Sequence, residues 1–154
     1  MNSRILIITA VNSEADAIGS HSNVNVVASG IGKTNAASST MASILNNGPF
    51  HYIVNLGIAG ASPNSHLNIG DIVIGTESVY MEEGIDTPNG FQTISQMGFE
   101  LGTFKENRVP PCQWMLKHLK NIGTSGPIAT VSTCSGTDER ALLVANRTKS
   151  IAES

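Results

Sequence analysis

The stretch that most limits what this chain can fold into runs from His51 to Tyr80, HYIVNLGIAGASPNSHLNIGDIVIGTESVY. An apolar run, Tyr52 to Leu56, has the length and composition of a buried strand. It breaks at Gly57-Ile58-Ala59-Gly60, passes through the polar segment Ala61 to Asn68, and resumes after Gly70-Asp71 with a second apolar run, Ile72 to Ile74. Glycines without a Cβ let the backbone turn sharply and let another molecule lie against bare peptide groups. In an α/β sheet, the loops at the carboxyl ends of the strands are where ligands usually sit. Gly57 and Gly60 therefore mark either such a site or a tight turn that needed small residues; the local sequence leaves both open.

Other segments follow the same grammar. Ile5 to Val11 is rich in β-branched residues, as in a strand buried on both faces. After it, Ser13 is placed to cap a helix whose first turn carries Glu14 and Asp16, the charge sign that a helix N-terminus favours. Glu14 thus falls at the carboxyl end of the first strand, either as a site carboxylate or as a solvated first-turn acid. Val24 to Ser29 reads as a second strand. Gly30-Ile31-Gly32-Lys33-Thr34 turns it into a helix of small residues, Asn35 to Ile44, which Asn46-Asn47-Gly48-Pro49 stops. A Gly-x-Gly turn ahead of a helix aims N–H groups outward, toward an anion or a sugar hydroxyl.

Two nucleotide loops are excluded at this turn. GxxxxGK[ST] needs glycine where Val27 stands, and GxGxxG needs glycine where Asn35 stands. ATP and NAD are accordingly set aside, and no cofactor is implied.

From Met81 to Pro111 the periodicity fades. Met81-Glu82-Glu83-Gly84-Ile85-Asp86 reads as a solvated acidic loop face, since no histidine lies within it to complete a metal ligand set. Pro88-Asn89-Gly90-Phe91 reads as a turn. Phe91 either covers a planar ligand or pins its loop to the core. Gln113 to Asn121 has the pattern of an amphipathic helix, and Ile128 to Val131 that of a short strand. The strand turns at Ser132-Thr133-Cys134-Ser135-Gly136-Thr137 into a last helix, which begins near Asp138-Glu139 and ends near Arg147 and Lys149. Ser150 to Ser154 looks like the start of a further strand.

Bulk properties remove several classes of function. At 154 residues the chain is read as one domain, 1–154, and a charged fraction of 14% against 40% hydrophobic argues against disorder. A net charge of −3 supplies no basic field for nucleic acid or an anionic membrane. Cys112 and Cys134 form no CxxC pair, and Cys134 reads as a buried small hydrophobe rather than a nucleophile. His21, His51, His66 and His118 form no i, i+4 pair, so no metal site is expected. The apolar run after Arg4 is too short to span a bilayer, and polar Asn12, Ser13 and Glu14 stand where a leader would be cleaved; a cytoplasmic protein is expected.

Four segments in order resemble the superfamily of purine nucleoside phosphorylases and nucleosidases: TAVNSEADAI (Thr9 to Ile18), SGIGKTNAA (Ser29 to Ala37), VNLGIAGAS with LNIGDIVIG (Val54 to Gly75), and ATVSTCSGTDERA (Ala129 to Ala141). Within it the combination is most similar to the futalosine hydrolases, as is the short passage from Ile18 to Val24. The related methylthioadenosine/adenosylhomocysteine nucleosidases carry a hairpin at that passage.

The resemblance implies a three-layer α/β sandwich around a central mixed, twisted sheet. It also implies hydrolysis of the N-glycosidic bond of futalosine, giving hypoxanthine and dehypoxanthine futalosine on a route to menaquinone. Glu14 would activate the attacking water, and Ile31 would pack near the ribose. Gly57, Ala59 and Gly60 would line the sugar and water site with backbone, and Ile58 would replace a serine of the nucleosidases. Ser135, Gly136 and Thr137 would lie beside the purine, with Phe91 over it. The implied partner is a small-molecule nucleoside, and homo-oligomers are usual in the superfamily. Family members continue past Glu153-Ser154 into Met-Glu-Gly-Ala-Ala, whose glutamate holds the ribose hydroxyls, and then into a strand bearing an acid or amide that serves the purine. The chain is therefore expected to be C-terminally truncated and its fold incomplete there, with Glu153 distinct from the ribose glutamate. The alternatives are a methylthioadenosine/adenosylhomocysteine nucleosidase and a truncated, non-catalytic paralogue that only binds nucleoside or pairs with subunits.

Overall fold

The computed structural model describes residues 4–154; residues 1–3, read from the sequence as preceding the first strand, lie outside the described residues. The chain packs as two compact units, one up to Ile58 and one from Ala59 to Ser154.

The first unit holds three parallel strands, β1 (Ile5–Thr9), β2 (Val24–Ala28) and β3 (Tyr52–Asn55), in the order β2-β1-β3. Central β1 pairs Ile5 with Val24 on one side and with Tyr52 on the other. It carries the fully buried Leu6 and Thr9, as its β-branched run predicts. The edge strand β3 alternates between partly buried and exposed positions, so only one of its faces is covered. Two helices connect the strands, α1 (Asn12–Ile18) and α2 (Lys33–Asn47). The covered side of α2 is made of small residues: Ser43 is buried, and the Ser39 hydroxyl donates to the Ser29 carbonyl at 3.3 Å. Small side chains let the helix backbone approach the turn after β2, and this is what the run of small residues from Asn35 to Ile44 encodes. Met41 and Leu45 on the same helix are exposed.

The second unit is built on a mixed sheet of five strands: β4 (Gly60–Ala61), β5 (Val73–Tyr80), β8 (Arg108–Val109), β9 (Thr124–Thr130) and β10 (Ala152–Glu153). Their order is β4-β10-β9-β5-β8. β9 runs parallel to β5 and β10, while β4 and β8 pair antiparallel at the edges. A separate hairpin joins β6 (Gly84–Thr87) to β7 (Gly90–Thr93), and two helices complete the unit, α3 (Gln113–Leu119) and α4 (Asp138–Thr148). The core gathers Met81 at the end of β5, Ala129 on β9 and Val144 on α4. The fold is α/β with a mixed sheet, as expected.

Four local expectations are corrected. Val11, not Ser13, occupies the cap position of α1. The segment after Met81 is not wholly irregular, because the β6–β7 hairpin closes around Pro88-Asn89. Glu82, within the acidic run, is not a solvated loop residue: it accepts from Arg140 at 3.0 Å and is only partly exposed. Cys134 is exposed rather than buried.

Candidate active site

In the first unit, the turn after β1 and the turn after β3 converge on one carboxylate. Glu14 lies in the first turn of α1 and folds back over its own helix start. Its Oε2 accepts the N–H groups of Ala10 at 2.9 Å and Val11 at 3.2 Å. Its Oε1 accepts the N–H of Ile58 at 2.9 Å, 44 residues further along the chain. This is the carboxylate half of a capping box; valine at the cap has no side-chain acceptor with which to complete the other half.

The three backbone donors hold the Glu14 carboxyl below its ordinary value of 4.5. The Ile58 bond contributes most, partial burial opposes it, and the Val11 and Ala10 bonds add to the lowering. A carboxylate offers about four acceptor positions, so one remains for a water or a hydroxyl.

Gly57 is what allows this approach. A Cβ on it would stand 2.8 Å from Glu14 Oε1 and 3.2 Å from Cδ. Ile58 contributes its backbone, and its side chain is 82% exposed. The Ser29–Gly32 turn, in the same unit, is set by side chains the sequence reading passed over. The Asn35 amide donates to the Ile31 carbonyl at 2.8 Å, and the Ser29 hydroxyl, with one proton to give, lies 2.8 Å from the Gly30 carbonyl and 3.0 Å from the Thr9 carbonyl and donates to one or the other. Gly30 and Gly32 both have positive φ, 89° and 101°, which excludes other residues at low cost. Ile31 sits at the tip of the turn, 75% exposed.

The second unit brings together Gly60 and the 132–137 loop, through Glu153. Strand pairing sets Glu153 opposite Gly60 on one side and Ala129 on the other. The Glu153 Cγ lies 3.4 Å from where a Gly60 Cβ would be. Its carboxylate accepts the Ser135 N–H on Oε1 and the Ser135 hydroxyl on Oε2, both at 2.7 Å. Thr137 caps α4, its hydroxyl accepting from the Arg140 N–H at 3.3 Å. Gly136 is exposed, and nothing lies within 4 Å of its absent Cβ. Ala59, at the start of this unit, is exposed.

Phe91 lies on the hairpin, with the Arg147 guanidinium 3.9 Å above its ring. It borders a cavity of about 210 Å³, together with Tyr80, Asn107, Arg108 and Arg147. Its partners are thus on β5, β8 and α4, and none of the cavity's lining residues comes from the 132–137 loop. Among the described residues, no three His, Cys, Asp or Glu side chains cluster as metal ligands would, and no helix is long and apolar enough to cross a membrane.

Sequence reading missed Asn35, Glu82, Arg140 and the bond from Glu153 to Ser135.

The phosphorylase superfamily pattern matches residues 13–147. Over 129 residues the chain is 28% identical to a futalosine hydrolase of Streptomyces coelicolor, covering 80% of this chain and 52% of that protein. Over 74 residues it is 43% identical to a 5'-methylthioadenosine/S-adenosylhomocysteine nucleosidase of Staphylococcus carnosus, covering 48% of this chain and 28% of that one. The chain thus spans about half the length of the first relative and less of the second. Among solved structures, the nucleosidase of that type from Colwellia psychrerythraea, in complex with adenine, superposes with a TM-score of 0.77 at 22% identity. That match covers 100% of this chain and 73% of the other. At that identity the likeness carries the fold.

Proposed function

Because the chain belongs to the phosphorylase superfamily, we propose that it carries the water-activating part of a purine nucleoside hydrolase, with futalosine as substrate and hypoxanthine as the released base. The observation that supports this most is the Glu14 carboxylate: charged, fixed by three backbone N–H groups, and left with one acceptor position.

Cleavage of an N-glycosidic bond builds positive charge on the sugar, as in glycoside hydrolysis. The C1'–N bond pair leaves with the purine, which takes up a proton from solvent, the proton that Glu14 accepts in the next step being returned to solvent in exchange. Water adds its oxygen to C1' and gives its proton to Glu14. A carboxylate whose proton affinity is lowered is a modest base, but it stays anionic while facing the cation, and its rigid setting orients the water. General-base help of this kind is worth about 10²–10⁴-fold. On this reading Ile31 packs near the ribose, while Gly57 to Gly60 present backbone to sugar and water. Ser135, Gly136 and Thr137 border the purine, and Phe91, held under Arg147, is its proposed cover. No cofactor is required by this chemistry.

A second reading, a nucleosidase that releases adenine from methylthioadenosine, is favoured by the 43% identity over 74 residues to the staphylococcal protein. Chromatographic assay of hypoxanthine from futalosine and adenine from methylthioadenosine separates the two. Glu14→Gln is expected to lower base release by about 10²–10⁴-fold. Release within a few-fold of wild type would remove Glu14 from the mechanism, and release of adenine without hypoxanthine would favour the second reading.

A further inference from the structure

Glu82 and Glu153 serve no step in the chemistry above, yet both end on the same loop. Ser132 donates its N–H to both oxygens of Glu82, at 3.0 and 3.2 Å. Arg140 donates to Glu82 Oε1 at 3.0 Å and reaches the Thr133 carbonyl at 3.5 Å. At the other end, Glu153 takes both donors of Ser135 at 2.7 Å. The loop is held at two points three residues apart, by charge-assisted bonds that are roughly twice as strong as neutral ones.

Each carboxylate is itself anchored. Glu153 lies in register between β4 and β9. Glu82 follows the buried Met81 and is tied to α4 through Arg140. Beyond the second anchor, the space beside Gly136 is open.

We propose that Glu82 and Glu153 are positioning residues, which preset the 132–137 loop so that its backbone at Ser135 and Gly136 meets the purine without first having to be ordered. This rests on the reading that residues 135–137 border the base. Ordering a loop residue costs backbone entropy, so a loop fixed in advance leaves more of the contact energy for the ligand.

Glu153 supplies a discriminating series. Glutamine can accept the Ser135 N–H on its carbonyl and donate its amide to the Ser135 hydroxyl, which rotates to accept. Glu153→Gln therefore keeps both bonds, whereas Glu153→Ala loses both. The measurements are calorimetric affinity for hypoxanthine and adenine well below the melting temperature, the melting temperature itself, and amide hydrogen exchange of residues 132–137.

Glu153→Ala is expected to speed exchange at Ser135 at least tenfold and to weaken base binding about tenfold, with Glu153→Gln restoring most of both. Should Glu153→Ala fail to fold, Ser135→Ala and Glu82→Gln each remove part of the clamp, and each is expected to weaken binding several-fold. Unchanged affinity in variants with faster exchange overturns the positioning role, as does unchanged exchange at Ser135. A wild-type chain that binds neither base overturns the function reading and this inference with it. A wild type that binds with unchanged variants overturns the inference alone.

Discussion

Gly57→Ala isolates the Glu14 geometry with a single methyl group. Gly57 is not among the glycines with positive φ, so alanine meets no backbone strain there. The added Cβ would stand 2.8 Å from Glu14 Oε1, 3.2 Å from Cδ and 3.3 Å from Oε2. The carboxylate must retreat by roughly half an ångström, enough to stretch the 2.9 Å bond from Ile58 beyond ordinary hydrogen-bond range. A hydrogen bond to a charged group is worth about 1.5–3 kcal/mol; with Glu14 only partly buried, water replaces much of that and the loss is about 1 kcal/mol. Against it, alanine restricts the unfolded chain and returns about 0.4–1 kcal/mol. The two nearly offset at neutral pH, so stability there is a poor readout, and its pH dependence is a good one.

The sign follows from the lowered carboxyl. Glu14 contributes stability above its ordinary value of 4.5, and that contribution is lost as pH falls through the depressed folded value. Once protonated, the side chain can turn away from the new methyl. As pH falls from 7 through that depressed folded value, Gly57→Ala should gain on wild type by about 1 kcal/mol in denaturant titrations. At neutral pH, base release should fall by about tenfold, since a 1 Å misplacement costs on the order of 10²-fold. A stability difference that does not change with pH, together with kcat/KM within twofold of wild type, would refute the claim that Gly57 exists to admit Glu14.

Three further expectations are simpler. The acid limb of kcat/KM that reports Glu14 should lie below 4.5, because its backbone donors lower the carboxyl; a limb at pH 6 would assign it to another group. Thr137→Ala removes the α4 cap and should cost about 1 kcal/mol, read as a fall of roughly 2–4 °C in Tm; an unchanged Tm would show that the cap bond contributes nothing. Cys112 and Cys134 are both exposed and should both react with a thiol reagent in the folded protein; a Cys134 that labels only after denaturation would contradict its placement.

What the sequence displays best is what local pattern controls. β1, β2, α2 and α4 stand close to where β-branched runs, small-residue runs and cap residues put them. Two of the misreadings share a physical cause, because each depends on a partner far along the chain. Ser13 looks like a cap, but the cap N–H of Val11 is taken by Glu14, whose other oxygen is fixed by Ile58. The acidic run after Met81 looks solvated because Arg140 is 58 positions away. The β6–β7 hairpin was obscured by its turn-forming residues, which leave only four-residue strands with weak alternation.

Three glutamates show how far residue type alone is from role. The donors facing Glu14 are all backbone N–H groups, which cannot reverse, so an amide there must set NH₂ against at least one of them. Glu153 faces one N–H and one hydroxyl, so an amide serves nearly as well. Glu82 faces an N–H and a guanidinium, and an amide there gives up a charge pair across partly exposed surface, worth about 0–1 kcal/mol. Glutamine scanning should therefore rank the three: severe at 14, mild at 82 and near silent at 153. That order follows from which donors can rotate and which cannot, and ranking by charge alone would put the fixed pair at Glu82 above Glu14. A silent Glu14→Gln beside a damaging Glu153→Gln would mean that the donor assignments, and with them the functional distinction between the two carboxylates, are reversed.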